Sequence, residues 1–444
     1  MRLFQIAYVT PPIKLEIAQG YPNNRNMKPK ALLVTYYYPP TNNAAITRII
    51  NLERALFETG LDVSVLTSGS TARELMNTTP EVHCEVINIK DLFGGKRGWV
   101  LPAIWRFLVG VGYVLGIPFE SHGDWYLRGR SILRKRGGRF DVVLATYPPL
   151  EALLLGIFAS TMHKCPMISD FRDGLVFEPV NYWRSRLFLL HWMTVRILEK
   201  LIISRSSLVI AVSDQIAEDF IHRYGENGEK SIFATITNGY DGVLESIEES
   251  ERSALSNVLI VHTGSLVHKQ SILRHFLKML VILQEKSPVD FSRIKVVLMG
   301  DCPSVVNRMI SRRKLSSSIT ILKPSSREDA VRLQRKADIL LLFPLNGNRR
   351  SSVATTKLYE YLTARRPILS FCKNTMAEKV IELTRTGWTL APQNRYTNVN
   401  SERLRSIVIG ASTVNPDIER ISAFAWPTLR KKYASALTEL LRKR

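Results

Sequence analysis

Residues 337–369 read ADILLLF, PLNGNRRSSVATT and KLYEYLTARRPIL in succession: an apolar strand, a polar loop, and a short helix running into the next strand. Pro367 announces that second strand. The order strand, loop, helix, strand over so few residues is the unit of an open parallel α/β sheet. In such sheets ligands bind in the crevice at the carboxyl ends of the strands. The helix carries one acid there, Glu360. A lone carboxylate in that crevice suits a ribose diol, because it accepts from both hydroxyls together.

The same unit recurs on both sides of this stretch. ALLVTYY (31–37), DVSVLT (62–67), DVVLAT (141–146), PMISDF (166–171), LVIAV (208–212) and SIFATI (231–236) alternate with amphipathic stretches, the first of them near 44–58 and stopped by Gly60. A polar break, ESIEESERSALSN (245–257), interrupts the series. It restarts with NVLIVHTG, IKVVLMG, ITIL, ADILLLF and PILSF. Apolar strands alternating with helices imply parallel sheets covered on both faces. The restart implies two doubly wound, Rossmann-like domains. Their expected bounds are a loose extension over 1–29, a first domain over 30–245, a second over 257–422, and a C-terminal helix with a basic tail over 423–444. A chain of 444 residues with 45% hydrophobic content has the length and the apolar content for two cores.

Charge is unevenly spread. Residues 1–250 hold 27 basic and 25 acidic side chains (+2), and 251–444 hold 34 and 14 (+20), which together make the net +22. A basic half points to an anionic partner: ligand phosphates, an acidic membrane or nucleic acid. No interleaved aromatic pattern supports nucleic acid. The four cysteines, Cys84, Cys165, Cys302 and Cys372, are scattered with no C-x-x-C pair, which argues for a reducing compartment and against structural zinc. The opening residues MRLFQIAYVTPPIKLE do not have the form of a secretory leader.

Two segments depart from the pattern. WVLPAIWRFLVGVGYVLGIPF (99–119) is long and apolar, is broken by Pro102 and Arg106, and is flanked by basic residues. It reads as an interfacial segment resting on a membrane in preference to a buried helix or a span. NYWRSRLFLLHWMTVRILEKLIISR (181–205) reads as a core helix, with a second interfacial helix as the alternative.

Several loops at strand ends carry candidate site residues. TYYYPPTNNAAITR (35–48) joins the first strand to a helix N-terminus, a place suited to an anion or an acceptor, with Arg48 facing either the cleft or solvent. Tyr147-Pro148-Pro149 follows DVVLAT, and Asp170-Phe171-Arg172-Asp173 follows PMIS. That turn is either a structural ion pair or a place where Asp170 or Asp173 binds an acceptor hydroxyl or takes its proton. Asn238-Gly239-Tyr240-Asp241 is a turn that also suits a hinge. In HTGSLVHKQS (262–271) Gly264 permits close backbone approach, and Lys269 meets a diphosphate beside the helix amides. His268 reads as a neutral neighbour and not as a metal ligand. Gly300-Asp301 repeats the tight strand-to-helix turn.

In this order the motifs resemble the family-4-type retaining glycosyltransferases of the GT-B fold, over roughly residues 30–440. KLYEYL and DFRD are the more specific segments, and the resemblance is closest to members that build bacterial surface polysaccharides. It implies a nucleotide-diphosphate sugar held by the second domain through Gly264, Lys269, Gly300, Lys357 and Glu360. It implies an acceptor, lipid-linked or saccharide, held by the first domain through Arg48, Tyr147, Arg172 and Asn238. Catalysis in the cleft would fall to Asp170, Asp173 and Lys269. No metal and no cofactor beyond the sugar nucleotide is implied, and the expected place is the cytoplasmic membrane face. The last helix would cross back to the first domain, anchored by Phe424 and Trp426.

The chain departs from that pattern at three places. Ser352 stands where many relatives have a second glutamate, and Ser265 where many have an arginine. Asn42-Asn43-Ala44-Ala45 replaces the first-loop glycine pair. Arg349, Arg350, Thr355, Thr356 and Lys357 are the residues placed to compensate. The alternatives are a non-catalytic binding protein of the same fold and a nucleotide-sugar 2-epimerase.

Overall fold

The computed structural model describes residues 28–39, 46–68, 85–89, 122–177, 189–225, 232–242, 244, 257–267, 269–343, 352, 354–391, 394–410 and 413–442. The loops at 40–45 and 344–351, the 99–119 segment, His268 and the terminal Lys443-Arg444 lie outside them.

The first sheet has seven parallel strands. They are β1 (Lys30–Val34), β2 (Asp62–Ser68), β3 (Glu85–Ile89), β4 (Val142–Tyr147), β5 (Met167–Phe171), β6 (Leu208–Ala211) and β7 (Ile232–Thr235), in the order 3-2-1-4-5-6-7. The second has six: β8 (Val258–Thr263), β9 (Ile294–Met299), β10 (Ile319–Leu322), β11 (Ile339–Leu342), β12 (Ile368–Ser370) and β13 (Gly387–Thr389), in the order 10-9-8-11-12-13. Each order reverses once, between β1 and β4 and between β8 and β11. The GT-B arrangement of two Rossmann-like domains is therefore present. Central strands such as β4 and β11 are fully buried because helices cover both faces, which is why they read as unbroken apolar runs.

Helices α1 (Ile46–Glu58), α2 (Gly123–Lys135), α3 (Leu150–His163), α4 (Leu189–Arg205) and α5 (Asp214–Tyr224) belong to the first sheet. Around the second lie α6 (Gln270–Lys286), α7 (Pro288–Ser292), α8 (Ser304–Ser311), α9 (Arg327–Lys336), α10 (Thr356–Thr363), α11 (Met376–Thr384), α12 (Thr397–Val408) and α13 (Ile418–Ser422). Gly60, at φ +84°, ends α1. The last helix, α14 (Trp426–Arg442), crosses back: Trp426, Leu429, Tyr433, Leu437 and Leu440 pack with α1 and the first sheet. Phe424 packs instead in the second domain, against Tyr359.

The two chain crossings are bound to each other. Tyr240 N–H donates to Phe424 O (3.1 Å), and Trp426 N–H donates to Tyr240 O (3.0 Å). A side chain at Gly239 would meet Phe424 O at 2.5 Å, so only glycine allows this approach.

Candidate functional site

In the second domain the site forms where the strand order reverses, between β8 and β11. After β8 the chain turns at Gly264 (φ +132°), and after β9 at Gly300 (φ +141°). Both conformations suit glycine. The turns also touch: a Cβ on Gly300 would lie 2.2 Å from Gly264 O. This paired turn leads to the N-terminus of α6, capped by Lys269. Unpaired amides and the helix dipole make such an end attractive to anions.

Helix α10 brings two further side chains to the same crevice. Lys357 Nζ donates to both Glu360 oxygens, at 3.0 and 3.1 Å. The side chains are 28% and 22% exposed, so the pair opens to solvent while held from below. The lower support is Gln334, at the end of α9 and fully buried. Its amide donates to Glu360 Oε1 (2.5 Å) and to Thr263 Oγ1 (2.8 Å). Tyr361 accepts at its hydroxyl from Thr263 N–H (3.0 Å), which ties α10 to the end of β8. Lys357 Cε passes 3.7 Å from the Cβ position of Gly264.

Electrostatics set these groups for an anion. Burial, then the neighbouring Lys357 charge, pulls Lys269 down to about 8. Lys357 is already paired with Glu360, and the nearby Lys269 adds a second, largely buried cation to the crevice. Burial above all, then the charge of Lys269, pushes His262 down to about 3, so it is neutral. Its Nδ1–H donates to Leu341 O (2.8 Å) across the β8–β11 crevice.

The acceptor-side residues fall out differently from the sequence expectation. Asp170 is fully buried and is not a catalytic carboxylate. It accepts from Arg48 Nη2 (2.6 Å) and Nε (3.1 Å), from Thr146 Oγ1 (2.9 Å) and from Tyr433 Oη (3.1 Å). Arg48 is 1% exposed, so it faces neither cleft nor solvent. Burial opposes its charge, but Asp170 outweighs burial and holds the guanidinium above its ordinary pKa. Its Nη1 donates to Ile236 O (2.9 Å) and Thr237 O (3.0 Å), where the chain leaves the first domain. The ion-pair reading of the DFRD turn therefore holds for Asp170, with Arg48 as partner in place of the adjacent Arg172.

Arg172 is also buried. It donates to the carbonyls of Tyr147 (3.1 Å) and Pro148 (2.5 Å) and so braces the Tyr147-Pro148-Pro149 loop. Burial lowers its pKa. Tyr147 packs in the core against Phe171 and is 8% exposed. These three expected substrate contacts, Arg48, Tyr147 and Arg172, thus shape the first-domain wall from behind. Asn238 is 7% exposed and donates to Ala354 O (3.5 Å), linking the hinge to the start of α10. Asp173 is the carboxylate of its turn that keeps partial exposure. Ser352 is fully buried, and Ser265 is exposed.

Sequence reasoning did not single out Gln334 or His262. Gln334 stands at the end of the very polar helix REDAVRLQRK, where a glutamine has no distinguishing mark. Among the described residues no group of three or more His, Cys, Asp or Glu could hold a metal ion, and no helix is long and apolar enough to cross a membrane.

Comparison with known proteins agrees with this fold. Residues 44–231 match the family model described as a glycosyl transferase 4-like domain. Solved structures of similar fold include Anabaena Alr3699/HepE in complex with UDP and glucose (15% identity, TM-score 0.56, covering 92% of this chain and 99% of that one). Another is the sucrose-phosphate synthase of Thermosynechococcus elongatus (14%, 0.59, 94% and 100%). A third is the lipopolysaccharide outer core galactosyltransferase WaaB in apo form (12%, 0.58, 93% and 99%). No curated protein matches the chain. The chain thus has the GT-B fold, and residues 44–231 within it are similar to a glycosyl transferase 4-like domain.

Proposed function

We propose that the protein transfers a glycosyl group from a nucleoside-diphosphate sugar to a lipid-linked or saccharide acceptor, with retention, in the making of a cell-surface polysaccharide or glycoconjugate. The observation that carries this reading is the meeting of Lys269, Lys357 and Glu360 around the Gly264–Gly300 double turn. Glu360 accepts from the ribose hydroxyls. The diphosphate lies against the paired turn, between the two lysines and the N-terminus of α6.

In the reaction the bond from the anomeric carbon to the diphosphate oxygen breaks, and the acceptor oxygen bonds to that carbon on the same face. The acceptor proton passes to the departing diphosphate. Charge developing on the diphosphate is met by Lys269, Lys357 and the helix amides, which is the largest catalytic contribution in such a site. Asp173 orients the acceptor hydroxyl. Both lysines supply the charge a metal would otherwise bring, so excess EDTA is expected to leave the rate unchanged. A lipid-linked acceptor would set this reaction at the cytoplasmic membrane face. Thermal stabilisation by UDP, GDP or ADP, followed by a hydrolysis screen over common nucleotide sugars, tests the proposal. Neither stabilisation nor turnover with any of them would leave a non-catalytic protein of this fold.

A further inference from the structure

Helix α4 carries apolar residues on more than one side, interleaved with Arg196, Glu199, Lys200 and Arg205. The protein buries only one side of it. His191, Val195, Ile202 and Ile203 pack inward against the first sheet, and its one acid, Glu199, is fully buried and bound by Arg223 and Tyr224. On the other side Leu190, Met193, Ile197 and Leu201 are 57, 48, 65 and 39% exposed. At about 100° per residue these four fall within an arc of roughly 80°, and they run about 16 Å along the helix. The stripe is flanked by Arg196 and Lys200 on one edge and Arg205 on the other, all exposed. Every exposed charge on α4 is therefore positive.

The neighbouring helices continue this surface. On α2, Arg134 and Lys135 are exposed, as is Lys164 at the end of α3, and no acidic side chain on these two helices is fully exposed. Trp125 and Leu133 of α2 belong to the same core layer as α4. An apolar stripe edged only by cations matches a bilayer with anionic headgroups: the side chains enter the acyl boundary while the basic groups meet phosphates. The start of α4 lies towards the carboxyl ends of the strands, where β5 finishes at Phe171 and the DFRD turn follows. A lipid-linked acceptor on that bilayer would reach the cleft at this end.

We infer that the outer face of α4 is the surface by which this protein rests on an anionic lipid bilayer. The inference rests on the proposed membrane-side acceptor and gives it a location. The test is flotation of the full chain with phosphatidylcholine vesicles containing or lacking 30% phosphatidylserine, with stabilisation by UDP measured on each sample. One variant carries Leu190→Ser, Met193→Ser, Ile197→Ser and Leu201→Ser. A second carries Arg196→Glu, Lys200→Glu and Arg205→Glu. A third, Arg312→Glu with Arg327→Glu and Arg403→Glu, reverses charge on the strongly basic second half.

The wild type and the third variant are expected to float with the anionic vesicles. The second variant loses about fivefold in affinity per basic residue removed, hence over a hundredfold in all. The first loses at least tenfold. Equal flotation of all three variants overturns the inference, because the 99–119 segment or general charge would then do the binding. So does a wild type that ignores lipid but forms a dimer that the first variant dissolves. A wild type that fails to float while UDP still stabilises it rejects this surface and leaves glycosyl transfer standing. Flotation without stabilisation by any nucleotide does the reverse.

Discussion

Asp170 and Asp173 sit three residues apart and are predicted to fail in opposite ways when altered. Asp170 closes a buried cluster: two bonds from Arg48, one from Thr146 and one from Tyr433 use both of its oxygens. Asp170→Asn keeps the shape but removes the charge and replaces one acceptor with a donor facing Arg48 or Thr146. Arg48 is then a cation with no counter-charge, 1% exposed, left with the amide oxygen of the new side chain and the carbonyls of Ile236 and Thr237. Removing one partner of a buried ion pair costs about 3–5 kcal/mol. For a domain of this size that corresponds to a Tm lower by roughly 6–20 °C. Asp173→Asn touches a partly exposed group and is expected to move Tm by no more than about 2 °C. Its effect is on turnover, with kcat falling at least tenfold once the acceptor hydroxyl loses its carboxylate partner. Scanning calorimetry and acceptor-saturated initial rates on the two variants decide the matter. A thermally normal but inactive Asp170→Asn would refute the structural role, and a fully active Asp173→Asn would refute the catalytic one.

Three other consequences concern the donor crevice. Glu360→Ala removes hydrogen bonds to a charged group, worth about 1.5–3 kcal/mol, so UDP binding by calorimetry should weaken roughly 10- to 100-fold. Gln334→Leu, which leaves Glu360 in place but unbraced, should weaken it by less while Tm holds, and an unchanged Kd for both would remove Glu360 from the ribose. Lys269, at about 8 in the free protein, regains its proton beside a diphosphate, so at pH 8.5 UDP binding should take up a substantial fraction of a proton. Calorimetry in two buffers of different ionisation enthalpy reads this directly, and affinity should fall as pH rises above 8. The absence of proton uptake would place Lys269 away from the phosphates. Gly300→Ala forces a methyl to 2.2 Å from the Gly264 carbonyl and should abolish nucleotide binding before it unfolds the domain.

The architecture was readable because parallel strands buried on both faces leave continuous apolar runs. Eleven of them were legible within a residue or two, except that β1 ends at Val34, three residues before the expected end. The two that escaped are edge strands. EVINI at β3 mixes polar and apolar residues, and GWT at β13 is three residues long, too short for any periodic signal. The meeting of the proposed donor residues was legible for a related reason: Gly264 and Gly300 directly follow β8 and β9, Lys269, Lys357 and Glu360 lie at or near the starts of the helices after β8 and β11, and topology alone brings such positions together. The acceptor side was not. Arg48 and Asp170 are 122 residues apart, and the DFRD turn offers a nearer arginine that the fold uses elsewhere. Helix α4 shows the opposite failure. Its many apolar residues imply burial, and composition does not say which of them, here Leu190, Met193, Ile197 and Leu201, stay exposed.

Arg48 also bears on how the two halves are held. It binds α1 to the end of β5 through Asp170, reaches the carbonyls of the departing linker, and stacks near Tyr433 on the returning helix at 5.6 Å. The linker and the return strand are themselves joined through Tyr240, Phe424 and Trp426. Asn238, in that linker, contacts the residue two positions before α10, the helix that carries Lys357 and Glu360. A rotation of one domain against the other must therefore bend both crossings together, while Arg48 keeps the first-domain end of the hinge fixed. On the proposed donor site, closure of the domains would reach α10 through the Asn238 contact. On this account an Arg48 variant that still folds should lose donor affinity, although Arg48 touches no donor atom. An Arg48→Lys protein with normal UDP affinity and a lowered Tm would confine its role to the first domain.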